Sequence, residues 1–347
     1  MNREDPSSRT STQPTMHDVA RLAGVSIKSV SRVINREPHV SAKLRAKIDA
    51  AIAQLGYVPD LAARSLAGAR SFTIGVLFDN PSPHYTMKVQ AGIYRACVEQ
   101  QYHLRIDNID STSASADLAG QLAALLRHGR VDGFVLTPPI TDNLAVLDYL
   151  DSIGIRYSRI APFVDPMRSA GTRIDDRAAA AGIADLFWSM GHRRFGFITG
   201  PANHGASMAR RDGFIGRLRE LDPGAEVAEA YGGFDFVIGI EAGRSLLGSD
   251  NPPTAIFAAN DDSAAGAMVA IRERGLAVPE QISLCGFDDS WVATSVWPFL
   301  TTIRQPIEEM AYAAARMVID RETPFEPLSV RTLGFEMIVR GSAGPPR

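Results

Sequence analysis

The segment Thr15–Asn35 (TMHDVARLAGVSIKSVSRVIN) constrains the fold of this chain more than any other stretch. Apolar residues recur at helical spacing on both sides of Gly24, which predicts two short helices joined by a tight turn. Thr15 is placed to cap the first helix, and Ser26 is placed to cap the second. Two helices joined in this way are typical of a helix-turn-helix, whose second helix lies in the DNA major groove.

The two faces of this predicted helix pair differ in chemistry. The first helix is expected to bury Val19, Ala20, Leu22 and Ala23. The outward positions of the second helix are Ile27, Lys28, Ser29, Ser31, Arg32 and Asn35. Lysine, arginine and asparagine can bind base edges or phosphates, and serine can bond to either. An ordinary helix pair with a solvated basic face would carry the same residues, so this segment alone leaves both interpretations open.

The residues that follow extend the pattern. A third helix is predicted over Ser41–Leu55, with Gly56 ending it, and three such helices can close a small core. A short alanine-rich stretch then runs from Leu61 to Ala67, between a proline-aspartate start and Gly68. Leu66 could pack on a neighbour or could wedge into a base step of the minor groove.

Together these runs resemble the lac repressor (LacI/GalR) family of bacterial transcription regulators. The matching stretches are MHDVARLAGVS, SVSRVIN and YVPDLAARSLAG. The resemblance implies that bases are read by Ile27, Lys28 and Arg32. It implies phosphate contacts from Thr15, Ser26, Ser29, Ser31 and Asn35. It also implies a hinge helix in which Ala62 and Ala63 face the minor groove and Leu66 wedges into the central base step.

Charge is distributed unevenly along the 347 residues. The net charge is −3, yet residues 15–70 carry nine Lys or Arg against four Asp or Glu, a balance of +5. Residues 1–14 are balanced, so residues 71–347 carry −8. A basic head on an acidic body suits a DNA-binding protein that engages the duplex through its head alone.

From residue 72 onward, short apolar runs alternate with amphipathic helical stretches. Strands are predicted at 72–78, 103–108, 133–136, 194–198, 226–231, 255–258 and 283–287. Helices are predicted at 85–100, 114–128, 144–152, 178–190, 208–220, 236–247 and 263–274. Strands with crossover helices form parallel sheets covered on both faces, and the number of units favours two doubly wound subdomains with a cleft between them.

The body also resembles the effector domain of the same family, which is similar to periplasmic sugar-binding proteins. The matching pieces are GHRRFGFITGP, FAANDDSAAGAM, GFDDS, LTTIRQP and GFEMIVRGS. The resemblance implies that the chain crosses between the subdomains three times, near Arg173–Asp175, Thr302–Arg304 and Arg331–Leu333.

We therefore predict an α/β body behind a three-helix DNA-binding head. Residues 1–14 form a polar, disordered tail, 15–58 the helix-turn-helix domain, 59–70 the hinge helix and linker, and 71–347 the effector-binding and dimerisation domain. Within the body, one subdomain spans about 71–173 plus 304–331, and the other spans about 175–302 plus 333–342.

Side chains just beyond the carboxyl ends of the predicted strands are the candidate ligand contacts, because open α/β sheets bind ligands at this edge. This rule nominates Asp79, Asn80, Ser82, His84, Tyr85, Arg210, Phe234, Asn260, Asp261, Asp262, Asp288 and Asp289. The set supplies the polar rim and the aromatic face that a neutral polyol needs. Asp261, Asp262 and Asp289 are expected as helix caps rather than ligand contacts.

The resemblance narrows this set and adds one residue. It implies effector contacts from Tyr85, Asp175, Arg210, Phe234, Asn260 and Asp288. With Ser82 from the strand-end rule, these form the predicted effector site. A structural ion pair is the alternative for Arg210 and Asp288, and core packing is the alternative for Phe234.

The leading hypothesis is a transcriptional regulator, most simply a repressor, that binds double-stranded DNA at a near-palindromic operator. A small effector, with carbohydrate as the favoured class, would control it, and the resemblance implies a homodimer or a tetramer. A solute-binding protein is the second hypothesis, but no export signal precedes the basic head. An enzyme is the third, but cofactor, phosphate-loop and zinc-protease motifs are absent from the sequence.

Further expectations concern location and chemistry. No run of eighteen apolar residues occurs, so no membrane span is expected. Cys97 and Cys285 lie in separate segments and are expected as free, buried thiols. The protein is expected in the reducing cytoplasm, associated with the nucleoid when it is bound to its operator. Neither a cofactor nor a metal is expected.

Overall fold

The computed structural model describes residues 14–34, 40–57, 70–80, 82–320 and 330–346, and the chain divides into two compact units, Met1–Ser71 and Phe72–Arg347. The predictions for the N-terminal tail to residue 13, for Asn35, and for the hinge helix with Ala62, Ala63 and Leu66 lie outside the described residues.

The head contains three helices, α1 (Met16–Ala23), α2 (Ile27–Ile34) and α3 (Ala42–Leu55). The cap predicted at Thr15 is confirmed as a reciprocal capping box with Asp18. Ser26 Oγ accepts the backbone N–H of Ser29 at 3.1 Å, which confirms the second cap. Gly24 ends α1 with φ of +56°, a left-handed conformation that glycine adopts without penalty.

The three helices share one small core built around Val19, Val30 and Ile48, which are fully buried. Leu22 departs from the prediction, since its side chain is 44% exposed. A helix turns about 100° per residue, so Leu22 lies to one side of the face that carries Val19, Ala20 and Ala23.

The first sheet of the body has six parallel strands in the order β11-β5-β4-β3-β1-β2. Its strands are β1 (Thr73–Phe78), β2 (His103–Asn108), β3 (Gly133–Leu136), β4 (Tyr157–Ile160), β5 (Gly171–Arg173) and β11 (Val330–Thr332). Its helices are α4 (Pro83–Gln100), α5 (Ser115–His128), α6 (Leu144–Ser152) and α11 (Ile307–Ile319).

The second sheet has four parallel strands in the order β7-β6-β8-β9. They are β6 (Phe195–Thr199), β7 (Val227–Tyr231), β8 (Ala255–Ala258) and β9 (Ser283–Cys285). The accompanying helices are α7 (Asp176–Ser189), α8 (Gly205–Leu221), α9 (Phe236–Leu247) and α10 (Asp261–Glu273).

Two short strands connect the halves of the body. β10 (Thr302–Arg304) pairs antiparallel with β12 (Glu336–Ile338), while β11 belongs to the first sheet. The chain also leaves the first sheet where β5 ends and enters the second half at α7. We call β10 and β12 the crossover strands.

The predicted fold class is confirmed, since both sheets are parallel and flanked by helices. All fourteen predicted elements of the body are present, with boundaries that differ by up to three residues. The sequence patterns did not predict α11 or the short strands β4, β5, β10, β11 and β12. The residues of β4 include Ser158 and Arg159. Both are fully buried, and the Arg159 guanidinium donates to Ser169 Oγ at 2.9 Å and to the Val164 carbonyl at 2.8 Å. A polar residue pair inside a buried strand conceals the apolar run that sequence patterns rely on.

Cys97 and Cys285 are free and buried, as predicted. Among the described residues, the helices lack the length and apolar content needed to cross a membrane.

Gly92 is required by the close approach of α4 to α11. A Cβ at this position would lie 2.1 Å from the Glu308 carbonyl oxygen. We predict that Gly92→Ala lowers the free energy of unfolding by about 1–3 kcal/mol, because the obstructing atom is backbone and cannot rotate away. Urea unfolding of the full chain, followed by circular dichroism, measures this change.

Gly120→Ala in α5 is the matched control. Nothing among the described residues lies within 4 Å of its added methyl group, and alanine in a helix is favoured over glycine by about 0.5–1 kcal/mol. Equal stability of the two variants would contradict the packing of α4 on α11.

Candidate functional site

A cavity of about 30 Å³ lies where the carboxyl edges of the two sheets meet. Six of the seven predicted effector residues line it: Ser82, Tyr85, Arg210, Phe234, Asn260 and Asp288. Asn80, His204 and Gln305 complete the lining. Both halves of the body contribute side chains to the cavity. From the first half come three residues that follow β1: Asn80, Ser82 and Tyr85. From the second half come four residues that follow strands of the second sheet: Arg210, Phe234, Asn260 and Asp288.

Arg210 is the buried charge at the centre of this cavity, with a side chain that is only 5% exposed. Its Nε donates to Asp176 Oδ1 at 2.8 Å, and a terminal nitrogen donates to the Ala259 carbonyl at 2.6 Å. The same terminal nitrogen lies 3.8 Å from Asp288 Oδ1, and the guanidinium carbon lies 3.7 Å from the centre of the Phe287 ring. The protein therefore already supplies this cation with counter-charges and acceptors.

Asp288 is held in the cavity by a strained turn after β9. Its φ is +108° and that of Asp289 is +47°, both in the region that favours glycine. Asp288 N donates to the Ile303 carbonyl at 2.8 Å, and its carboxylate accepts from Gln305 Nε2 at 2.5 Å. Burial raises the pKa of Asp288 to about 6, although Arg210 and Gln305 favour the ionised form.

Asn260 positions the aromatic residue of the site. Its side-chain oxygen caps α10 by accepting the Ser263 N–H at 2.9 Å, and its amide nitrogen donates to the Phe234 carbonyl at 3.1 Å. Phe234 itself has φ of +61°, so the amide bond helps to hold an unfavourable backbone conformation.

The expected caps at Asp261 and Asp262 are wrong, because Asn260 occupies the cap position. Asp261 is buried and accepts from Ser290 N and from Thr302 Oγ1, each at 2.7 Å. Burial, together with repulsion from Asp288, raises the pKa of Asp261 to about 8. Asp262 instead faces the first half of the body.

Direct hydrogen bonds join the two halves beside the cavity. Ser82 Oγ donates to Asp262 Oδ2 at 3.0 Å, and Lys88 Nζ donates to the Asp289 carbonyl at 3.4 Å. Because Ser82 and Lys88 belong to the first half, these bonds hold the cleft closed around the cavity.

Asp289 links the cavity turn to the crossover strands, so its expected role as a helix cap is also wrong. Its carboxylate accepts from Arg304 Nε at 2.7 Å and from an Arg340 terminal nitrogen at 2.6 Å. Arg304 lies on β10, and Arg340 follows β12. Burial opposes ionisation of Asp289, but the two arginines outweigh it and lower the pKa of this carboxyl.

Three residues of the site were missed in the sequence analysis. His204 precedes α8 and is buried, with its ring edge-on to Phe234 at a centroid distance of 4.9 Å. Burial and the nearby Arg210 lower the pKa of His204 to about 3. Asp176 and Gln305 bind Arg210 and Asp288 as described above. His204 follows the strand predicted at 194–198, so a wider window after that strand would have nominated it. Asp176 and Gln305 follow β5 and β10, which the sequence patterns did not predict as strands.

Asp175 does not line this cavity. Its side chain caps α7 by accepting the Ala178 N–H at 2.9 Å, and it lines a second cavity of about 240 Å³. That cavity is open, and Phe163, Arg173 and Arg177 in its wall are exposed to solvent. Buried polar groups converge only weakly there, so we take the smaller cavity as the candidate ligand site.

The second helix of the head presents its predicted DNA-reading residues to solvent. Ile27 and Lys28 are exposed, and Arg32 is half-buried, whereas Val30 and Val33 are buried on the opposite face. Ser26 is exposed, as is Thr15 at the start of α1, while Ser29 and Ser31 are half-buried. At 100° per residue, Ile27, Lys28, Ser31 and Arg32 fall on the face of α2 opposite Val30 and Val33, as a helix that enters a groove requires.

Sequence comparison identifies two regions of known type. Residues 15–60 match the family described as "Bacterial regulatory proteins, lacI family", and residues 184–343 match the family described as "Periplasmic binding protein-like domain". The ribose operon repressor of Escherichia coli (strain K12) is 32% identical over 316 residues, which cover 89% of this chain and 93% of that protein. This chain belongs to the lacI family of bacterial regulatory proteins.

Solved structures of similar proteins agree with this lacI-family assignment. A complex of the transcriptional regulator CelR with cellobiose is 29% identical, with a TM-score of 0.69, and covers 95% of this chain and all of that one. A lac repressor dimer bound to operator and the anti-inducer ONPF is 26% identical, with a TM-score of 0.75, and covers 96% of this chain and all of that one. The predicted family, fold class and regulatory function are thereby confirmed, and the chain is a transcriptional regulator rather than an enzyme.

Proposed function

We propose that this lacI-family protein is a repressor whose affinity for a near-palindromic operator is controlled by a small sugar bound beside Arg210. The observation that carries this proposal is the convergence of residues from both halves of the body on one cavity. A ligand that bridges Ser82 and Tyr85 on one side and Asp288 on the other changes the free energy of closing the cleft. Differential binding to open and closed forms is what allows a ligand to shift such an equilibrium.

The chemistry of the cavity supports a sugar. Asp288 and Ser82 offer acceptors for hydroxyl groups, and the Gln305 amide and the Tyr85 hydroxyl offer donors. Burial raises the pKa of Tyr85 well above its ordinary value, so its hydroxyl keeps the proton that it would donate. Phe234 provides an apolar face for C–H groups. Among the similar proteins, one is named for the ribose operon and another was solved with cellobiose.

The bonds around Asp289 suggest how occupancy reaches the rest of the body. Asp288 touches the cavity, while Asp289 binds Arg304 on β10 and Arg340 just after β12. A shift of this turn therefore moves the segments that connect the two halves. We propose that opening or closing at the crossover strands is the change that alters DNA binding.

We assign the parts of the chain as follows. Residues 15–58 read DNA, with Ile27, Lys28 and Arg32 on bases and with Thr15, Ser26, Ser29, Ser31 and Asn35 on phosphates. Residues 59–70 form the hinge, with Ala62, Ala63 and Leu66 in the minor groove. Residues 71–347 bind the effector and dimerise, in subdomains of about 71–173 plus 304–331 and 175–302 plus 333–342.

The similar lac repressor, solved as a dimer on its operator, supports a dimer that reads two symmetric half-sites. We place the protein in the cytoplasm, on the nucleoid when it is bound to its operator.

The base-reading role of Arg32 predicts a loss of operator affinity. Arg32→Ala should weaken binding by about 1–3 kcal/mol and relax specificity at one base position, because arginine hydrogen bonds to a base edge carry that discrimination. Fluorescence anisotropy of genomic operator fragments at fixed salt measures both effects. Arg45→Ala in α3 is a control that removes a head charge away from the reading helix. Equal losses in the two variants would leave Arg32 with no role beyond its charge.

Asp288 is predicted to couple the sugar to the operator. Asp288→Asn should abolish the sugar-induced change in operator affinity and leave sugar-free operator affinity within about threefold, because the turn keeps its shape while the anionic acceptor is lost. Operator anisotropy with and without saturating D-ribose or cellobiose measures the coupling. Glu273→Gln, which alters an exposed carboxylate bound to Arg244, is the control. A normal sugar response in Asp288→Asn would place the effector elsewhere, and no specific operator for the unaltered chain would contradict the whole proposal.

A further inference from the structure

We propose that the effector of this protein is an uncharged polyol and that the cavity excludes sugars carrying phosphate or carboxylate groups. This inference rests on the proposed function and narrows it, since a sugar-controlled repressor could equally respond to a phosphorylated sugar or a sugar acid. Three features of the described residues argue for it.

The first feature is the occupancy of Arg210. Among the described residues that line the cavity, it supplies the positive charge an anion would need. An arginine recognises phosphate or carboxylate with two parallel N–H groups. Here Nε is bound to Asp176 at 2.8 Å and one terminal nitrogen is bound to the Ala259 carbonyl at 2.6 Å. An anion that paired with Nε and its neighbouring nitrogen would have to displace Asp176 from Nε and leave that buried carboxylate unpaired, which is costly.

The second feature is the excess of carboxylates. Asp288 lines the cavity, Asp176 contacts Arg210, and Asp262 bonds to Ser82 at the cavity wall. Arg210 pairs with two of these carboxylates, Asp176 and Asp288, and both are buried. An added anion would meet net repulsion that solvent screens weakly, since low-dielectric surroundings strengthen Coulomb interactions. Hydroxyl groups meet the opposite situation, because they can donate to these carboxylates.

The third feature is His204. Its ring is buried, and within the described part of the chain Nδ1 has no hydrogen-bond partner. Because the imidazole stays neutral beside Arg210, it offers no positive charge to an anion. A neutral imidazole nitrogen can pair with one hydroxyl, and a polyol would satisfy a buried group that is otherwise left without a bond.

The test compares matched neutral and anionic sugars on the full chain. Isothermal calorimetry is performed with D-ribose against D-ribose 5-phosphate and with D-glucose against D-glucuronate. We expect a neutral member to bind about a hundredfold more tightly than its anionic partner, since opposing like charges in a closed site costs several factors of ten in affinity. Equal or tighter binding of the anionic member, with release of operator, would overturn the inference while upholding sugar control. Binding by no member of either pair would contradict the proposed sugar control itself.

A variant tests the cause of the selectivity. Asp176→Asn removes the counter-charge of Arg210, so the ratio of neutral to anionic affinity should fall by about tenfold or more. Asp212→Asn is the matched control, because it removes one carboxylate from an exposed pair with Arg177 and should leave the ratio unchanged. If Asp176→Asn does not fold, Asp262→Asn removes a cavity-wall carboxylate without touching Arg210 and should shift the ratio in the same direction. An unchanged ratio in the folded variant would overturn the electrostatic argument.

Discussion

The buried guanidinium of Arg210 is the constraint on which the ligand cavity depends. A charge that is 5% exposed is tolerated only with neutralising partners, and removing one such partner typically costs about 3–5 kcal/mol. Its partners come from the start of α7, the end of β8 and the turn after β9, while Phe287 packs against its flat face. Satisfying this one charge therefore fixes three segments of the second half of the body relative to one another, and the cavity is the space left beside them.

The turn at Asp288 and Asp289 connects this cavity to the remainder of the body. Two consecutive non-glycine residues with positive φ are costly, and such strain is typical of sites where the surrounding structure specifies the backbone. The turn directs one carboxylate into the cavity and the next toward Arg304 on β10 and Arg340 just after β12. Ligand chemistry and subdomain connection thus share one dipeptide, which gives the proposed control of DNA binding a physical route.

Local patterns in the sequence predicted local features well. The cap at Thr15, the turn at Gly24 and the alternating strands and helices follow from neighbours in the chain. Side-chain partners separated by many residues were not predictable in this way. Asp176 meets Arg210 across 34 positions, and Asp289 meets Arg340 across 51.

The same limit explains why Asp261 and Asp262 were expected as caps. A cap is a local interaction, whereas the bonds of Asp261 to Thr302 and of Asp262 to Ser82 form only in the complete fold. Asp175, one residue from Asp176, was predicted at the effector by resemblance; it lines the second cavity, and its effector role stays a prediction.

The most direct test of the account is a crystal structure of the full chain grown with the tightest-binding neutral sugar. The account predicts the sugar in the cavity between the two halves, with hydroxyl groups within hydrogen-bonding distance of Asp288 and Asn260 and a ring face against Phe234. It also predicts that the pair formed by Arg210 and Asp176 persists when the sugar is bound. A sugar seated instead in the larger cavity beside Phe163 and Asp175, with the space around Arg210 unchanged, would contradict the central claim.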